Sequence, residues 1–308
     1  LAQRLMCQQP KRRPRSLPDG RHRFVIKVKQ NIPDHDRGIF NPSAAYAEGK
    51  TMTLDQAMVP WRTNNLHAVR LMLAVAVIVS HAWPLAYGAG TLEPLEALSG
   101  HSLGGWAVGL FFFLSGLLIS GSAERSTATR FWFARARRIL PGLAMALIVT
   151  LVLAGLSGAR LTPEIAITFF LRDLTLVSLE HHLAGAFANN PMPGVVNGPL
   201  WSLAHEVAAY VLCWGAVRLG LLRHGWGLLA LVAAALVLWA IPGLPARAAT
   251  FGPLFVAFAL GIVAYSIRQR LSLSLWITLG LLVMAPLGWP FGIAAFGHLA
   301  LVVAFRLP

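Results

Sequence analysis

The sequence predicts an all-α protein, a polytopic bundle of transmembrane helices. Only 12% of its 308 residues are charged and 56% are hydrophobic, and the mean hydropathy is +0.62. Soluble domains carry about a quarter of their residues as charges. Long apolar runs, such as LMLAVAVIVS from residue 71 and LLALVAAALVLWA from residue 228, alternate with short polar loops. This alternation is typical of helices that cross a bilayer with about 20 residues each.

The apolar runs predict about eight spans. They lie near residues 66–87, 104–121, 139–157, 199–218, 226–242, 250–267, 274–288 and 290–306. Arginines follow the second, fourth and sixth of these spans, for example Arg125, Arg218 and Arg268. The positive-inside rule makes those loops cytoplasmic. We therefore expect a multi-pass protein of the inner (plasma) membrane with a cytoplasmic N-terminus.

Residues 162–180 are not predicted to make a simple crossing. Arg172 and Asp173 lie in the middle of this otherwise apolar segment, and a charge at mid-bilayer costs about 2.5–3.5 kcal/mol on insertion scales. One more crossing would also invert the orientation of every later loop. We predict a re-entrant or interfacial helix, with a full span packed inside the bundle as the alternative.

The N-terminal segment differs in composition from the rest of the chain. Residues 1–62 are rich in Lys and Arg and contain no apolar period long enough for a core. We predict a basic, disordered tail at residues 1–62 and a transmembrane domain at residues 63–308. The tail begins with Leu1, and a gene start placed too far upstream, with Met52 or Met58 as the true start, would explain it.

Neither the charge nor the cysteines indicate other partners. The formal net charge of +14 is concentrated in the tail and a few loops, so we predict no nucleic-acid partner. Cys7 and Cys213 are too few for a disulfide framework or a thiolate metal cluster. The adjacent pair His181 and His182 lacks the spacing of metal ligands, and no metal site is predicted.

The first span carries Arg70 and His81, eleven residues apart. At about 100° per residue, this spacing places both side chains within about 20° of each other and about 16 Å apart along the helix. A membrane helix with two costly polar groups on one stripe turns that stripe toward the bundle interior or an aqueous cavity. Alternatively, Arg70 snorkels to the headgroups and His81 hydrogen-bonds near the outer interface.

Four motifs, in this order, resemble the membrane-bound acyltransferase-3 family. They are an Arg–His pair (Arg70, His81), a phenylalanine-rich run ending in Ser-Gly (Phe111, Phe112, Ser115, Gly116), a basic segment leading to a proline (Arg135, Arg138, Ile139, Pro141) and a Trp-Ser-Leu followed by glutamate (Trp201, Ser202, Leu203, Glu206). The resemblance covers roughly residues 64–308. Family members usually continue with further spans and a late Ser-Tyr-rich segment, so we expect this chain to be truncated at its C-terminus.

The resemblance implies transfer of an acyl group, commonly acetyl, from acyl-CoA to a hydroxyl of a cell-envelope carbohydrate or related acceptor. It implies that His81 is the catalytic base, and an imidazole suits this role because it titrates near neutral pH. We assign Arg70 to donor binding or charge stabilisation. Glu206 is assigned to orienting the acceptor or a catalytic group. No tightly bound cofactor is expected, since acyl-CoA is a co-substrate.

The remaining motif residues are assigned to substrate binding. Arg135 and Arg138 suit the phosphates of acyl-CoA, which guanidinium groups bind in bidentate fashion, and Ser115 is placed in the same donor site. Trp201 and Ser202 are assigned to the acceptor. Alternatively, Arg135 and Arg138 only set the topology, Ser115 allows close helix packing, and Trp201 is an interfacial anchor.

Two other functions are also compatible with the sequence. Polar groups inside spans also mark substrate paths, which is compatible with a transporter or exporter. The sequence shows no pair of related halves with broken helices, and this favours the enzyme. An inactive, truncated relative is the third possibility.

Overall fold

The computed structural model describes residues 52–59, 64–176 and 181–306, and within these ranges the regular elements are helices. The helices are α1 (Leu54–Ala57), α2 (Leu66–Tyr87), α3 (Pro94–Ser99), α4 (Leu103–Arg125), α5 (Ala128–Leu156), α6 (Pro163–Leu174), α7 (Trp201–Arg218), α8 (Gly225–Ala240), α9 (Ala246–Ser266), α10 (Leu275–Met284) and α11 (Trp289–Arg306). The predicted all-α class is confirmed.

Six of the described helices, α2, α4, α5, α7, α9 and α11, are long and apolar enough to cross a membrane. The predicted spans near residues 226–242 and 274–288 correspond to α8 and α10, which are apolar but shorter. The predicted number of about eight spans is therefore not confirmed. Helix α8 packs antiparallel to α9, and α10 packs antiparallel to α11.

Helices α4 and α9 form the centre of the bundle, and 61% of each apolar span is buried. Their backbones touch through two glycines. A Cβ at Gly116 would lie 2.1 Å from the carbonyl oxygen of Phe258, and one at Gly261 would lie 2.0 Å from that of Phe113. Only glycine permits this approach, because any larger residue would push the helices apart.

Helix α2 lies at the edge of the bundle and packs against α4. Its outer side is apolar, with Leu71, Met72 and Ile78 between 66% and 68% exposed. In a membrane this side faces the lipid tails. The polar stripe that carries Arg70 and His81 lies on the other side.

Helix α5 begins earlier than the sequence predicts. We expected a basic loop before a span at residues 139–157, but the helix runs from Ala128 to Leu156 and includes Arg135 and Arg138. Its 29 residues measure about 43 Å, which matches a bilayer with its headgroup regions, about 40–45 Å. The arginines therefore extend the helix into the polar region of the membrane instead of forming a loop.

Helix α6 contains only 12 residues, about 18 Å, and cannot cross a hydrocarbon core of about 30 Å. This agrees with the prediction of a re-entrant or interfacial helix for this part of the chain. Residues 177–180, at the end of the predicted segment, lie outside the described residues.

Part of the predicted tail is folded. Leu54 is fully buried (0% exposed), and its N–H donates to the Leu271 carbonyl oxygen at 2.8 Å. Arg268 Nε donates to Asp55 Oδ1 at 2.9 Å. These residues are folded, unlike the expected tail, because the short apolar segment packs beside the end of α9. The prediction for residues 1–51 and 60–62 lies outside the described residues.

Candidate active site

The polar stripe of α2 faces the bundle interior. The Arg70 guanidinium lies 5.8 Å from the centre of the Phe111 ring on α4. The His81 ring lies between the start of α4 and the turn before α7, because a Cβ at Gly104 would be 3.8 Å from its Nδ1 and one at Gly198 would be 4.0 Å from its Cδ2. Because Arg70 and His81 lie eleven residues apart on one helix, both side chains point to the same side, away from lipid.

The hydrogen bond of the His81 ring fixes its tautomer. Nδ1 lies 2.8 Å from the carbonyl oxygen of Val77, one helical turn earlier. A carbonyl oxygen can only accept, so Nδ1 carries the hydrogen and donates it. In the neutral ring, the lone pair that can take a proton is therefore on Nε2.

A cavity of about 290 Å³ opens beside His81. This volume is near the lower end for ligand sites, roughly 300–1,000 Å³. Polar side chains from the end of α2 and from the segment between α2 and α4, which includes α3, line it, namely Ser80, His81, Trp83, Glu93, Glu96 and Ser102. The Trp83 indole nitrogen is buried and has no hydrogen-bond partner among the described residues. The cavity thus combines a base, hydroxyls, carboxylates and a spare N–H donor.

Glu93 joins α2 to α4 at this cavity. It is 7% exposed, and its Oε1 accepts hydrogen bonds from the Ser80 hydroxyl (3.2 Å) and from the backbone N–H of Leu103. A carboxylate at a helix N-terminus is stabilised by the unpaired N–H groups there. Glu93 therefore links Ser80, the residue next to His81, to the first turn of α4.

Ser80, Trp83 and Glu93 line the cavity but were not predicted as site residues from the sequence. Ser80 directly precedes His81, and that adjacency was the available signal. Glu93 lies in a loop, where no helical spacing relates it to α2.

The side chains that line the cavity beside His81 form one polar cluster, and a second polar cluster lies around Glu206. Its Oε1 accepts hydrogen bonds from the Ser115 hydroxyl on α4 (3.2 Å) and from the Tyr210 hydroxyl one turn along α7. Arg70 and Arg135 both interact electrostatically with Glu206. The cluster brings together residues that the sequence assigns to catalysis and to the donor.

The arginines give this cluster an excess of positive charge. The Arg135 guanidinium lies 5.5 Å from the centre of the Phe131 ring and 6.0 Å from that of Tyr210, and its Nη2 donates to Ser122 Oγ at 3.4 Å. Arg138, one turn further along α5, interacts with both Arg70 and Arg135. Three guanidiniums against one carboxylate leave a net positive charge, and this charge can attract an anionic group such as a phosphate.

The structure does not bring Glu206, Trp201 or Ser202 into the described cavity beside His81. Glu206 is on the same face of α7 as Tyr210 and so points to the arginines, and the structure records no hydrogen bond between it and His81 among the described residues. Neither Trp201 nor Ser202 lines the described cavity beside His81. Ser202 donates to the Pro199 carbonyl oxygen at 3.4 Å, within its own turn.

His205, beside Glu206, has a structural position. Its Nδ1 lies 2.9 Å from the Trp201 carbonyl oxygen, and its Nε2 lies 3.0 Å from the Arg247 carbonyl oxygen and 3.1 Å from Thr250 Oγ1. These bonds connect the start of α7 to the start of α9. His205 therefore contributes to neither polar cluster.

Three known proteins are similar to parts of this chain. An "O-acetyl transferase" of Shigella phage Sf6 is 33% identical over 51% of this chain and 46% of its own length. "Nodulation protein 10" of Rhizobium leguminosarum bv. viciae is 26% identical over 68% of this chain and 61% of its own length. "Acyltransferase MdmB" of Streptomyces mycarofaciens is 29% identical over 57% of this chain and 45% of its own length. The chain thus spans about half the length of these relatives.

No solved structure matches the chain. The match to a family is much broader, since residues 63–306 match the acyltransferase domain of the acyltransferase-3 family. This range includes both polar clusters and every described membrane helix. The chain belongs to the acyltransferase-3 family.

Proposed function

We propose that the protein is a membrane O-acyltransferase that moves an acyl group, in the simplest case acetyl, from acyl-CoA to a hydroxyl of a cell-envelope carbohydrate or a related acceptor. The observation that carries the proposal is His81, whose Nδ1–H donates to Val77 and leaves Nε2 as the proton acceptor beside a polar cavity. Two of the similar proteins are named as an O-acetyl transferase and an acyltransferase, which supports the reaction class.

The arginine cluster is the proposed site for the donor. Arg70, Arg135 and Arg138 carry permanent positive charges that suit the phosphates of CoA. They lie toward the ends of α2 and α5 that neighbour Arg125 and Arg218, and the positive-inside rule makes this the cytoplasmic side, where CoA is found. The spacing of about 16 Å between Arg70 and His81 along α2 suits an elongated donor whose phosphates and thioester lie far apart.

The transfer step follows from the position of the base. His81 Nε2 removes the proton of an acceptor hydroxyl as its oxygen attacks the thioester carbonyl carbon. The carbon–sulfur bond then breaks, and the imidazolium returns the proton to the leaving thiolate, so that an ester and free CoA are the products. The Trp83 N–H is the candidate donor to the oxygen that becomes negative during attack.

The cavity beside His81 is the proposed acceptor site, in place of Trp201 and Ser202. Carboxylates such as Glu93 and Glu96 accept hydrogen bonds from sugar hydroxyls. The Trp83 ring, which lines the cavity, adds an apolar surface for the C–H face of a sugar. The mixture of aromatic and polar groups suits a carbohydrate better than a purely apolar acceptor.

The test is transfer of label from acetyl-CoA by the purified protein in lipid nanodiscs, supplied with envelope glycans. We expect a glycan mass gain of one acetyl group, detected by mass spectrometry. A reaction without acceptor is the control for simple thioester hydrolysis. Uptake of label into sealed vesicles with no covalent product would indicate a transporter, and neither uptake nor product would indicate an inactive relative. Either outcome would refute the proposal.

A further inference from the structure

The turn before α7 lies beside the His81 ring. A Cβ at Gly198 would be 4.0 Å from His81 Cδ2, and this carbon is bonded to Nε2, the atom that takes the proton in the proposed reaction. The turn comprises residues 197–200 and is closed by a hydrogen bond of 3.0 Å from the Leu200 N–H to the Asn197 carbonyl oxygen. A shift of this turn would therefore change the space around the base.

Asn197 begins the turn in a backbone conformation that few side chains adopt. Its φ of 51° and ψ of 29° lie in the left-handed region. Within the described residues, Leu176 and Phe187 are the other non-glycine residues with positive φ. Asparagine adopts this conformation more readily than most residues with a side chain, whereas alanine is disfavoured in it. Residues held in such conformations cluster at functional sites, and this one directly precedes the glycine beside His81.

The side chain of Asn197 is held by α5. The Thr150 hydroxyl on that helix reaches two acceptors, Asn197 Oδ1 and the Ala146 carbonyl oxygen, the latter at 2.8 Å. Because a hydroxyl both donates and accepts, the amide stays bonded to Thr150 whichever of its two ends faces it. The other end of the amide, Nδ2, is buried and has no hydrogen-bond partner in the described part of the chain. Thr150 therefore determines where the amide lies.

Helix α5 connects this hydroxyl to the arginine cluster. Thr150 follows Arg138 by twelve residues, which is about 18 Å along the helix. Arg70 and His81 are separated by about 16 Å along α2. Two helices thus set a similar distance between the arginine cluster and the base, α2 through His81 itself and α5 through Thr150 and the turn.

We propose that Asn197 is a positioning residue for His81, a role that rests on the proposed function. Thr150 holds the amide of Asn197 on α5, and the left-handed backbone of Asn197 places Gly198 at the Cδ2 side of the imidazole. Val77 holds the ring at Nδ1. The ring is restrained on two sides, and Nε2 stays at a fixed distance from the donor site.

The first test is the kinetics of acyl transfer in nanodiscs. Asn197→Ala removes the amide and disfavours the left-handed backbone. The kcat should fall about 10–100-fold, as expected when a base is displaced by up to about 1 Å, while the KM for acyl-CoA stays near wild type. Asn197→Gly permits the backbone conformation and should restore part of the loss. Asn190→Ala, at an exposed asparagine of the same connection, is the matched control and should leave kcat near wild type.

Variants of Thr150 test the connection to α5. Thr150→Val removes the hydroxyl at nearly constant size and should lower kcat about fivefold, the equivalent of one net hydrogen bond. Thr150→Ser retains the hydroxyl and should stay near wild type. The double variant Thr150→Val/Asn197→Ala should lose no more than Asn197→Ala alone, because residues in one hydrogen-bonded chain do not act additively.

The second test observes the His81 ring directly and needs no turnover. It is nitrogen NMR of the full chain with isotopically labelled histidine, in alkaline buffer where imidazole groups are neutral. The His81 signals are identified by their loss in His81→Ala. We expect the wild type to carry its hydrogen on Nδ1, and Asn197→Ala to show a mixture of the two tautomers. A residue that only stabilised the loop would lower the free energy of unfolding and leave the His81 tautomer unchanged.

Several outcomes would overturn the proposal. They are a wild-type kcat in Asn197→Ala, strict additivity in the double variant, and unchanged His81 nitrogen signals. If Asn197→Ala does not insert into nanodiscs, Thr150→Val carries the same test because it leaves the turn intact, and a wild-type kcat and tautomer in that variant would overturn the proposal. If the wild type itself transfers no acyl group, the proposed function fails, and the NMR comparison alone decides the role of Asn197.

Discussion

Replacing Glu206 with glutamine removes the negative charge from the arginine cluster while keeping the size of the side chain. In the structure this carboxylate accepts hydrogen bonds from Ser115 and Tyr210 and interacts electrostatically with Arg70 and Arg135. A neutral amide can still accept one of these hydrogen bonds, but it no longer offsets the guanidinium charges. The substitution therefore isolates the electrostatic contribution of the carboxylate.

The structure sets the expected magnitude. Removing one partner of a fully buried ion pair costs about 3–5 kcal/mol, which is an upper bound here because no ion pair joins Glu206 to an arginine within the described part of the chain. Arg70 and Arg135 are only partly buried and Arg138 is exposed, so solvent screening reduces this cost. We expect the free energy of unfolding to fall by about 1–3 kcal/mol, at the lower end of the buried-pair range or below it.

Denaturation in mixed micelles, followed by tryptophan fluorescence, measures this change, and the ten tryptophans provide the signal. The double variant Arg70→Gln/Glu206→Gln should be more stable than the sum of the single effects predicts, by about 0.5–3 kcal/mol. Glu96→Gln, in α3 and away from the arginine cluster, is the control and should stay within about 0.5 kcal/mol of wild type. Unchanged stability of Glu206→Gln, or strict additivity with Arg70→Gln, would refute the electrostatic account.

Three further predictions follow from the packing and the two clusters. Gly261→Ala should destabilise the bundle by about 1–3 kcal/mol, because its Cβ would lie 2.0 Å from a backbone carbonyl oxygen. A Cβ at Gly280 would have no neighbour within 4 Å, so Gly280→Ala should be neutral or stabilising in the same unfolding assay. Glu93→Ala should lower kcat about tenfold, because the end of α2 that carries His81 is then no longer held against α4. Glu93→Gln should retain most of the wild-type kcat, and an equal loss of kcat in the two variants would contradict a positioning role. Arg135→Ala should raise the KM for acyl-CoA about tenfold with a smaller change in kcat, and Arg137→Ala, whose guanidinium lies over an exposed ring on the same helix, should leave both constants near wild type.

Much of the fold follows from patterns that are local in the sequence. Hydropathy over about 20 residues predicts where α2, α4 and α7 lie, because each apolar span must satisfy its own backbone hydrogen bonds in lipid. The stripe of Arg70 and His81 is likewise local, since a regular helix fixes their relative direction. The charges in the segment of α6 correctly predict that it makes no simple crossing.

Features that depend on contacts between distant segments were not predictable in this way. The beginning of α5 was placed too late, because hydropathy cannot separate a basic loop from a basic helix end that extends into the headgroup region. Leu54 was placed in a tail, since its burial depends on a site that α9 and the residues after it create. Glu93 and the direction of Glu206 also depend on tertiary packing, so their partners could not be inferred from spacing.

The most direct measurement is the rate of acyl transfer by His81→Ala, compared with wild type in the same nanodiscs, with acyl-CoA binding and unfolding stability measured on both proteins. Loss of a positioned base should lower the rate by about 10²–10⁴-fold, while donor binding and stability stay near wild type, because the arginine cluster is about 16 Å away along α2. Transfer by His81→Ala at the wild-type rate would contradict the account, since no proton acceptor would then be required at that position.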